Sequence, residues 1–465
     1  METLFYGTDY HSHLGTGYGG IAVHNKEFIR QIHSIAQNQF KSKFIDMLNN
    51  INGDKGIGVI SAGDEQPIYL NSKLGPFCIV TNGRIENDEA LARKLHKNGI
   101  SFTEVSKKGV NNTELIGKMI TMGKNIPDGI EKMFKEIKGS CSLLILTKNG
   151  IYAARDNSGH TPLIIGKRNR DWAVTTETTA FHNIGFSVKK ELEPGEIVFV
   201  SNKGTKVIRK GNSCNQICSF LWIYTGFPAS NYEGINAEVV RERCGRALAR
   251  RDRDLKADIV SGVPDSGMAH AIGYAMESGK PLRRTLVKYT PGYGRSYVPP
   301  SQKTRDLVAK MKLVAIKDII KGNRVVLCED SIVRGTQLKN FTVKKLREAG
   351  AKEVHVRPAC PPLMFPCKYN LSTRSINELV ARKAIRSIEG KDIGSVSEYL
   401  HHKSKKYRKM IDWIASSLNV DSLKYQVLDD MVKAIGLPKD KICLYCWMGE
   451  SPGVSKIKKA GKKRK

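Results

Sequence analysis

Two adjacent acids and a run of small polar residues lie where a strand-like segment gives way to a helix-like one. Residues 324–336 read RVVLCEDSIVRGT, and QLKNFTVKKLREAG follows with apolar residues at helical spacing. Glu329 and Asp330 are therefore predicted at the carboxyl end of a buried strand, with the backbone N–H groups of residues 331–336 at a helix N-terminus. Such an end suits a phosphate, and an acidic pair suits sugar hydroxyls or a metal. The pattern predicts a site for a phosphorylated ribose.

An alternative interpretation is that the two acids and Ser331 only cap the helix. The whole string favours a site, because it resembles the phosphoribosyl pyrophosphate (PRPP) motif of type I phosphoribosyltransferases, and EDSIVRGT is especially similar to the version in glutamine PRPP amidotransferases. The resemblance implies that Glu329 and Asp330 are catalytic and hold the ribose hydroxyls, directly or through Mg²⁺. It also implies that PRPP is bound by Ser331, Ile332, Val333, Arg334, Gly335 and Thr336. Glu329 replaces the family's aspartate, so we expect some loss of PRPP affinity.

Two more segments resemble parts of the same family. Residues 263–267, VPDSG, form a pattern common in ordinary turns, but their place ahead of EDSIVRGT is that of the family's pyrophosphate loop. This implies PRPP contacts from Pro264, Asp265, Ser266 and Gly267. Residues 289–313 resemble the family's flexible loop, which implies that Lys288 and Arg295 contact pyrophosphate, Arg295 as a catalytic residue, and that Ser296 lies near Mg²⁺. The alternative is a solvent-exposed basic loop.

The chain before Cys218 is rich in short strand-like runs such as PFCIVTNG and EIVFVSNKGTKVI, separated by Gly and Asn turns. These runs predict packed β-sheets with a few helices. The blocks HSHLGTGYGGIAV, FCIVTNGRIEN, NNTELIGKMI and GIYAARDNSGHTPLIIGK occur in the order seen in class II glutamine amidotransferase domains. The resemblance implies that residues 1–217 form the four-layer sandwich of N-terminal-nucleophile (Ntn) hydrolases.

Several residues that this family needs for glutamine hydrolysis are missing. The chain begins with methionine instead of the family's nucleophilic cysteine, VISA stands between Gly58 and Gly63 where the glutamine-binding arginine is expected, and Asn112 replaces an aspartate. Asn82 and Gly83 match the family's oxyanion-hole pair, but an oxyanion hole without a nucleophile does not hydrolyse glutamine.

Two explanations compete for the missing cysteine. A wrongly chosen start or a truncated sequence would remove the first strand, but neither would also erase the arginine and the aspartate. We therefore expect a real loss of glutaminase function, with no nucleophile in this half. Asn82 and Gly83 are then expected to be ordinary turn residues.

After Cys218 the pattern changes to alternating strands and helices, as in ADIVSGV, MAHAIGYAMESG and KEVHVRPA. This alternation predicts a doubly wound parallel sheet with its site at the carboxyl ends of the strands. Residues 373–388 and 396–418 have helical spacing. The fold class is thus a mixture of α/β and α+β: an Ntn-type sandwich, a type I phosphoribosyltransferase sheet and a helical C-terminal extension. The predicted domains are residues 1–217, 218–400 and 401–450, followed by a basic tail at 451–465.

Four cysteines form a candidate metal site. The C-x-x-C pair Cys443 and Cys446 is by itself a weak sign of metal binding, and structural cysteines explain it equally well. The blocks around Cys218 and Cys367, however, resemble positions in the iron–sulfur subgroup of the amidotransferase family. The resemblance implies that these four thiolates bind a [4Fe-4S] cluster in a structural role, and zinc would accept the same set.

Length, composition and charge limit the number of domains, the location and the binding partners of the chain. With 465 residues and 40% hydrophobic content there is room for two or three domains with proper cores. No apolar run has bilayer length and METLFYGTDY is no signal peptide, so we predict a cytoplasmic protein without membrane contact. The formal charge of +31 attracts polyanions without choosing among nucleic acid, membranes and phosphorylated metabolites. The tail SKIKKAGKKRK is expected to make no more than non-specific RNA contacts.

Together these resemblances imply an amidophosphoribosyltransferase-like enzyme of the first step of de novo purine synthesis. It would transfer an amino group to PRPP from ammonia, either free or supplied by a protein partner, and release pyrophosphate. We expect a homo-oligomer. A different amine or base as acceptor is compatible with the same motifs. The alternative from another class is a non-catalytic PRPP or nucleotide sensor that could bind RNA through its basic surface.

Overall fold

A computed structural model of the chain describes residues 1–104, 109–289, 313–370, 373 and 375–450. Arg295, Ser296 and the tail at 451–465 lie outside these described residues, so their predicted roles stay predictions. The described chain has two halves, which meet near Cys218. None of its helices combines the length and the apolar character that crossing a membrane requires.

The N-terminal half contains twelve strands and six helices among the described residues. The strands are β1 (Tyr18–Asn25), β2 (Glu27–Ser34), β3 (Lys55–Ser61), β4 (Ile68–Leu70), β5 (Phe77–Ile85), β6 (Gly139–Thr147), β7 (Gly150–Ala154), β8 (Ile164–Arg168), β9 (Asp171–Thr175), β10 (Ser187–Glu191), β11 (Ile197–Ser201) and β12 (Gly204–Arg209). The helices are α1 (Glu2–Asp9), α2 (Phe40–Asn50), α3 (Asp88–Lys97), α4 (Asn112–Thr121), α5 (Ile126–Glu136) and α6 (Thr179–Asn183).

These elements form four layers. A three-stranded sheet in the order β2–β1–β3 faces a six-stranded sheet in the order β12–β11–β7–β6–β5–β4. Alternating side chains divide between the layers: Ile21 and Val23 pack against α1 and α2, whereas Ala22 packs against Cys78 and Val80 of the six-stranded sheet. Helices α3, α4 and α5 cover the other face of that sheet. The four-layer sandwich predicted from the sequence is confirmed.

Asn82 and Gly83 are not turn residues, so that expectation was wrong. They lie within β5, opposite Ser142 and Cys141 of β6. Gly83 has a φ of +141°, and an added Cβ would lie 2.1 Å from the carbonyl oxygen of Ser140. The close approach of β6 therefore requires glycine inside a strand, a position at which sequence patterns suggest a turn.

The C-terminal half continues the numbering. Its strands are β13 (Ile217–Cys218), β14 (Asn231–Tyr232), β15 (Ile235–Asn236), β16 (Ile259–Gly262), β17 (Leu286–Lys288), β18 (Leu313–Ala315), β19 (Arg324–Glu329), β20 (Glu353–Pro358), β21 (Ser422–Leu423) and β22 (Ile442–Cys443). Its α-helices are α7 (Ala237–Arg250), α8 (Met268–Ser278), α9 (Lys317–Ile320), α10 (Lys344–Glu348), α11 (Val380–Glu389), α12 (Ser397–Leu400), α13 (Lys405–Leu418), α14 (Leu428–Ile435) and α15 (Tyr445–Met448). Wider π-type turns occur at Leu221–Thr225 and Leu338–Val343, and short 3₁₀ turns at Ile376–Glu378 and Lys439–Lys441.

A parallel sheet in the order β16–β19–β20–β21 forms the centre of this half. Val326 and Cys328 of β19 pack with α7 and α8 on one face, whereas Leu327 packs with α10, α11 and α13 on the other. Helices thus cover both faces, as the prediction of a doubly wound sheet requires. Because parallel strands end together, the residues after β16 and β19 meet at one edge.

The C-terminal segment is helical but also adds strands. Ser422–Leu423 extends the parallel sheet beside β20, and Ile442–Cys443 pairs with Ile217–Cys218 at the start of this half. The helical spacing over residues 396–418 belongs to two helices and not to one, because the chain breaks before α13. The Ser404 hydroxyl accepts the Tyr407 N–H and caps the second helix.

Candidate active site

The two predicted carboxylates lie at the end of β19 but face different surroundings. Glu329 lines a cavity, and its Oε1 accepts hydrogen bonds from Ser266 Oγ and from Asp330 N, both at 3.1 Å. Asp330 is only 6% exposed and accepts a hydrogen bond from the Ser331 hydroxyl. The structure therefore brings Glu329 to the cavity surface and sets Asp330 behind it.

Burial, and after it the neighbouring Asp330 charge, raise the pKa of Glu329 well above its ordinary 4.5. A bound cation would favour the ionised form of this side chain. Two adjacent carboxylates are oxygen donors of the kind that Mg²⁺ prefers, so the donor set fits that ion. The third predicted donor, Ser296, lies outside the described residues.

Residues 331–336 form the predicted loop between β19 and the following helical turn. Within the described chain, the N–H groups of residues 332–335 donate to no other protein group, so they remain available to an anion. The start of α11 supports the loop, because Val380 N donates to Val333 O at 2.8 Å. The guanidinium of Arg334 pairs with Glu378, with 2.6 Å between Nη2 and Oε1.

Residues 264–267 form the neighbouring loop, between β16 and α8. An added Cβ at Gly267 would lie 2.3 Å from the carbonyl oxygen of Cys328, so this turn packs tightly against β19. Lys288 Nζ lies 3.0 Å from Asp265 Oδ2. The structure thus brings the predicted pyrophosphate loop, Lys288 and Glu329 to one edge of the sheet.

One cavity of about 1690 Å³ reaches from this edge into the N-terminal half. Its walls include Asn82, Gly83 and Asn112 at one end and Ser266 and Glu329 at the other. The two predicted sites therefore share a common space.

Ser61, Asp64 and Asn112 line the N-terminal end of the cavity, around the positions where the resemblance implies glutamine binding. Ser61 lies in the segment without arginine, and its hydroxyl accepts the Gly63 N–H at 3.3 Å. Asn112 N donates to Asp64 Oδ2 at 3.2 Å, and its own Oδ1 is buried without a hydrogen-bond partner among the described residues. An asparagine oxygen cannot supply the full charge with which an aspartate binds an ammonium group.

The four candidate cluster cysteines come together from three segments. Cys218 and Cys443 are opposite one another in the β13–β22 pair. A hydrogen bond with Cys367, burial, and the neighbouring Cys443 and Cys218 raise the pKa of the Cys446 thiol well above its ordinary value. In the described ranges no group of three or more His, Cys, Asp or Glu has its side chains already set for a metal. The chemistry of four adjacent thiols nevertheless fits the predicted ligand set.

Two buried residues that interact electrostatically with Asp330 were not predicted from the sequence. Arg241 on α7 is 4% exposed, and burial lowers its pKa while the Glu238 and Asp330 charges act in the opposite sense. His270 on α8 is fully buried, and its ring nitrogens lie 3.0 Å from Arg241 O and 3.2 Å from Ile223 O. Local sequence does not reveal this interaction, because a single arginine on an amphipathic helix looks like an ordinary surface residue.

Comparisons with known proteins agree with this geometry. A family model described as a glutamine amidotransferase domain matches residues 55–183. Amidophosphoribosyltransferase of Methanocaldococcus jannaschii is 32% identical over 97% of this chain and 94% of its own length. The Bacillus subtilis protein of the same name is 33% identical over 83% of this chain and 76% of its own length.

Solved structures give the same result. The glutamine PRPP amidotransferase from B. subtilis, complexed with ADP and GMP, superposes with a TM-score of 0.83 at 30% identity, covering 97% of this chain and 94% of that one. A structure described as the allosteric regulatory enzyme of purine biosynthesis gives a TM-score of 0.82, also at 30% identity, covering 97% of this chain and 93% of that one. Identity above 30% across nearly the whole length shows that this chain belongs to the amidophosphoribosyltransferase family.

Proposed function

We propose that the C-terminal half joins ammonia to PRPP and releases pyrophosphate. The observation that carries this proposal is the edge at which Glu329, the loop at 264–267 and the N–H groups of residues 332–335, which donate to no described protein group, meet. The loop after β19 would hold the 5-phosphate, and the loop after β16 would hold the pyrophosphate. The relatives' shared name supports the same reaction.

In this reaction the bond between the anomeric carbon and pyrophosphate breaks while a carbon–nitrogen bond forms on the opposite face. Glu329 and Asp330 would hold the ribose hydroxyls and, with Ser296, Mg²⁺. When bound, the metal supplies positive charge for the leaving pyrophosphate. Lys288 and Arg295 would add positive charge there. The attacking ammonia loses a proton to solvent, and the products are phosphoribosylamine and pyrophosphate.

We propose ammonia and not glutamine as the nitrogen source. The support comes from inside the N-terminal cavity, where Ser61 lies in a segment without arginine and Asn112 replaces an acid. A glutamine molecule would lose the partners of its carboxylate and of its ammonium group, at about 1.5–3 kcal/mol for each charged hydrogen bond. Ammonia, either free or delivered by a partner protein, needs neither contact.

The remaining assignments belong to the same proposal. Cys218, Cys367, Cys443 and Cys446 would bind a [4Fe-4S] cluster or zinc that fastens the C-terminal segment to the junction of the two halves. The domains would be residues 1–217, 218–400, 401–450 and 451–465. We further propose that the protein is a homo-oligomer and works in the cytoplasm.

Pyrophosphate release from PRPP with Mg²⁺ tests the proposal, with ammonia, glutamine or no acceptor present. Turnover with ammonia alone is expected, and Asp330→Asn should abolish it. Turnover with glutamine would refute the loss of glutaminase function. Tight PRPP binding without pyrophosphate release would refute catalysis and favour a sensor.

A further inference from the structure

A histidine and a buried carboxylate form a pair in the wall of the cavity. His13 follows α1 and its side chain is 26% exposed, whereas Glu177 follows β9 and its side chain is 2% exposed. His13 Nε2 lies 2.9 Å from Glu177 Oε1, and both residues line the cavity that reaches Glu329. A carboxylate beside one ring nitrogen holds the proton on that nitrogen and leaves the other nitrogen able to accept one.

Groups from the C-terminal half fix the position of the Glu177 carboxylate. Its Oε2 accepts hydrogen bonds from Tyr232 OH at 2.6 Å and from Phe227 N at 3.3 Å. Burial opposes the charged form of Glu177, but the contacts with His13, His11 and Tyr232 lower its pKa overall. The Nδ1 atom of His13 has no hydrogen-bond partner among the described residues. The pair therefore has a fixed anionic side and an available basic nitrogen.

The two other imidazoles of the described cavity wall are less suited to take up a proton. Both ring nitrogens of His11 are engaged, Nδ1 at 2.7 Å from Gly7 O and Nε2 at 2.8 Å from Thr175 Oγ1. His160 is buried, and burial lowers its pKa to about 4. His13, which water reaches, is therefore the imidazole of this wall that can exchange protons with solvent.

An aromatic ring beside His13 adds a surface that suits a small cation. The ring centres of His13 and Phe227 are 5.4 Å apart, and Phe227 also lines the cavity. An aromatic face attracts a cation. Ammonia in neutral water is mostly ammonium, which has no lone pair with which to attack the anomeric carbon. We propose that ammonium binds against His13 and Phe227, and that His13, positioned by Glu177, removes one of its protons.

In this step one N–H bond of ammonium breaks. Its proton bonds to His13 Nδ1, and the electron pair stays on nitrogen as the lone pair of ammonia, which moves along the cavity to PRPP. The imidazolium is stabilised by the Glu177 carboxylate until it releases the proton to solvent, so the pair returns to its original state. The inference rests on the proposed function, because it takes ammonia to be the nitrogen source.

His13→Gln tests the inference through the pH dependence of the reaction. Pyrophosphate release is followed with varied ammonium chloride at about pH 7, where a base is needed, and at about pH 9.5, where free ammonia is plentiful. The variant's kcat/KM for total ammonia is expected to fall by at least roughly tenfold at the lower pH and by less than about twofold at the higher one. An equal loss at both pH values, or no loss at the lower pH, would overturn the inference.

The neighbouring titratable groups keep their charge between these two pH values. Burial lowers the pKa of His11 and raises the pKa of Tyr232 well above its ordinary value, so both side chains stay neutral. Arg241, whose charge acts on Tyr232, remains protonated, and Glu177 remains ionised. A difference between the two pH values therefore reports on ammonium and His13.

Control variants separate this role from a merely structural one. His182→Gln replaces an exposed histidine of α6 that does not line the cavity, and its kcat/KM should be unchanged at both pH values. Glu177→Gln should reproduce the loss at the lower pH, and full activity there would refute its positioning role. The Kd for PRPP with Mg²⁺ should be unchanged in His13→Gln, and weaker PRPP binding would show a structural defect and overturn the inference. Wild-type protein that releases no pyrophosphate with ammonia at either pH would refute the proposed function itself, and this inference with it.

Discussion

Removing the negative charge of Glu378 should tighten PRPP binding. Arg334 belongs to the loop that is proposed to hold the 5-phosphate, but its guanidinium pairs with Glu378, with 2.6 Å between the charged atoms. A phosphate that enters the loop must compete with this carboxylate for the arginine. Glu378→Gln leaves the neighbouring backbone unchanged and frees the cation.

The size of the effect follows from the exposure of the pair. The Arg334 and Glu378 side chains are 61% and 32% exposed, so water and salt screen their attraction. Exposed ion pairs contribute about 0.2–1 kcal/mol. In Glu378→Gln, PRPP no longer has to break this ion pair in order to bind Arg334. The Kd for PRPP should therefore fall by about 1.4- to 5-fold. The gain should shrink as the salt concentration rises.

Isothermal titration of PRPP with Mg²⁺ at low and high salt measures the change. Glu398→Gln is a matched control, since Glu398 is an exposed acid paired with Lys406 in the C-terminal segment and its loss changes the net charge equally. A second control, Arg334→Ala, should remove the benefit of Glu378→Gln. If Glu378→Gln binds PRPP no tighter than wild type, or if Glu398→Gln gives the same gain, then Arg334 does not contact the phosphate.

Three further predictions concern other parts of the molecule. Glu329→Asp should tighten PRPP binding by about 1 kcal/mol, roughly fivefold, because it restores the carboxylate position of the family; titration with unchanged affinity would contradict this. Hydrogen bonds from Arg324 lower the pKa of Asp258 to about 2 from 3.8, so its contribution to stability is complete above about pH 4 and is lost as the pH falls towards 2. Asp258→Asn should therefore cost about 1 kcal/mol at pH 7 and almost nothing near pH 2 in thermal unfolding, whereas an equal loss at both pH values would refute the reasoning. Replacing Cys443 by serine should remove bound iron or zinc, measured by elemental analysis, whereas Cys214→Ser should not; metal retained by both variants would exclude the proposed ligand set.

Local sequence patterns were sufficient for the strand, loop and helix around the acidic pair. Residues 324–336 and the run after them carry enough apolar periodicity to specify a buried strand and an amphipathic helix. Local patterns did not determine which of the two side chains, Glu329 or Asp330, faces the cavity. Asp330 is buried, and the charged and polar groups that interact with it, Arg241 and His270, come from distant helices and give no local signal.

Three other features were not predicted from the sequence, two of them because their partners are remote in the chain. Gly83 adopts its positive φ because β6 approaches closely. The sequence pattern therefore predicted a turn at Asn82 and Gly83, where the structure has strand β5. The break before Lys405–Leu418 rests on one capping hydroxyl, that of Ser404. Strand Ser422–Leu423 has only two residues, too few for an alternating pattern, and exists because β20 offers a free edge.

The short strand Ser422–Leu423 has a practical consequence for anyone who divides this protein into fragments. A piece that stops at residue 400 would leave the hydrogen-bonding groups of Glu353–Pro358 open to solvent, and exposed edges of this kind recruit other chains. Such a fragment would precipitate even with every substrate-binding residue intact. Limited proteolysis after α12 would then be expected to inactivate the enzyme by aggregation and not by loss of chemistry.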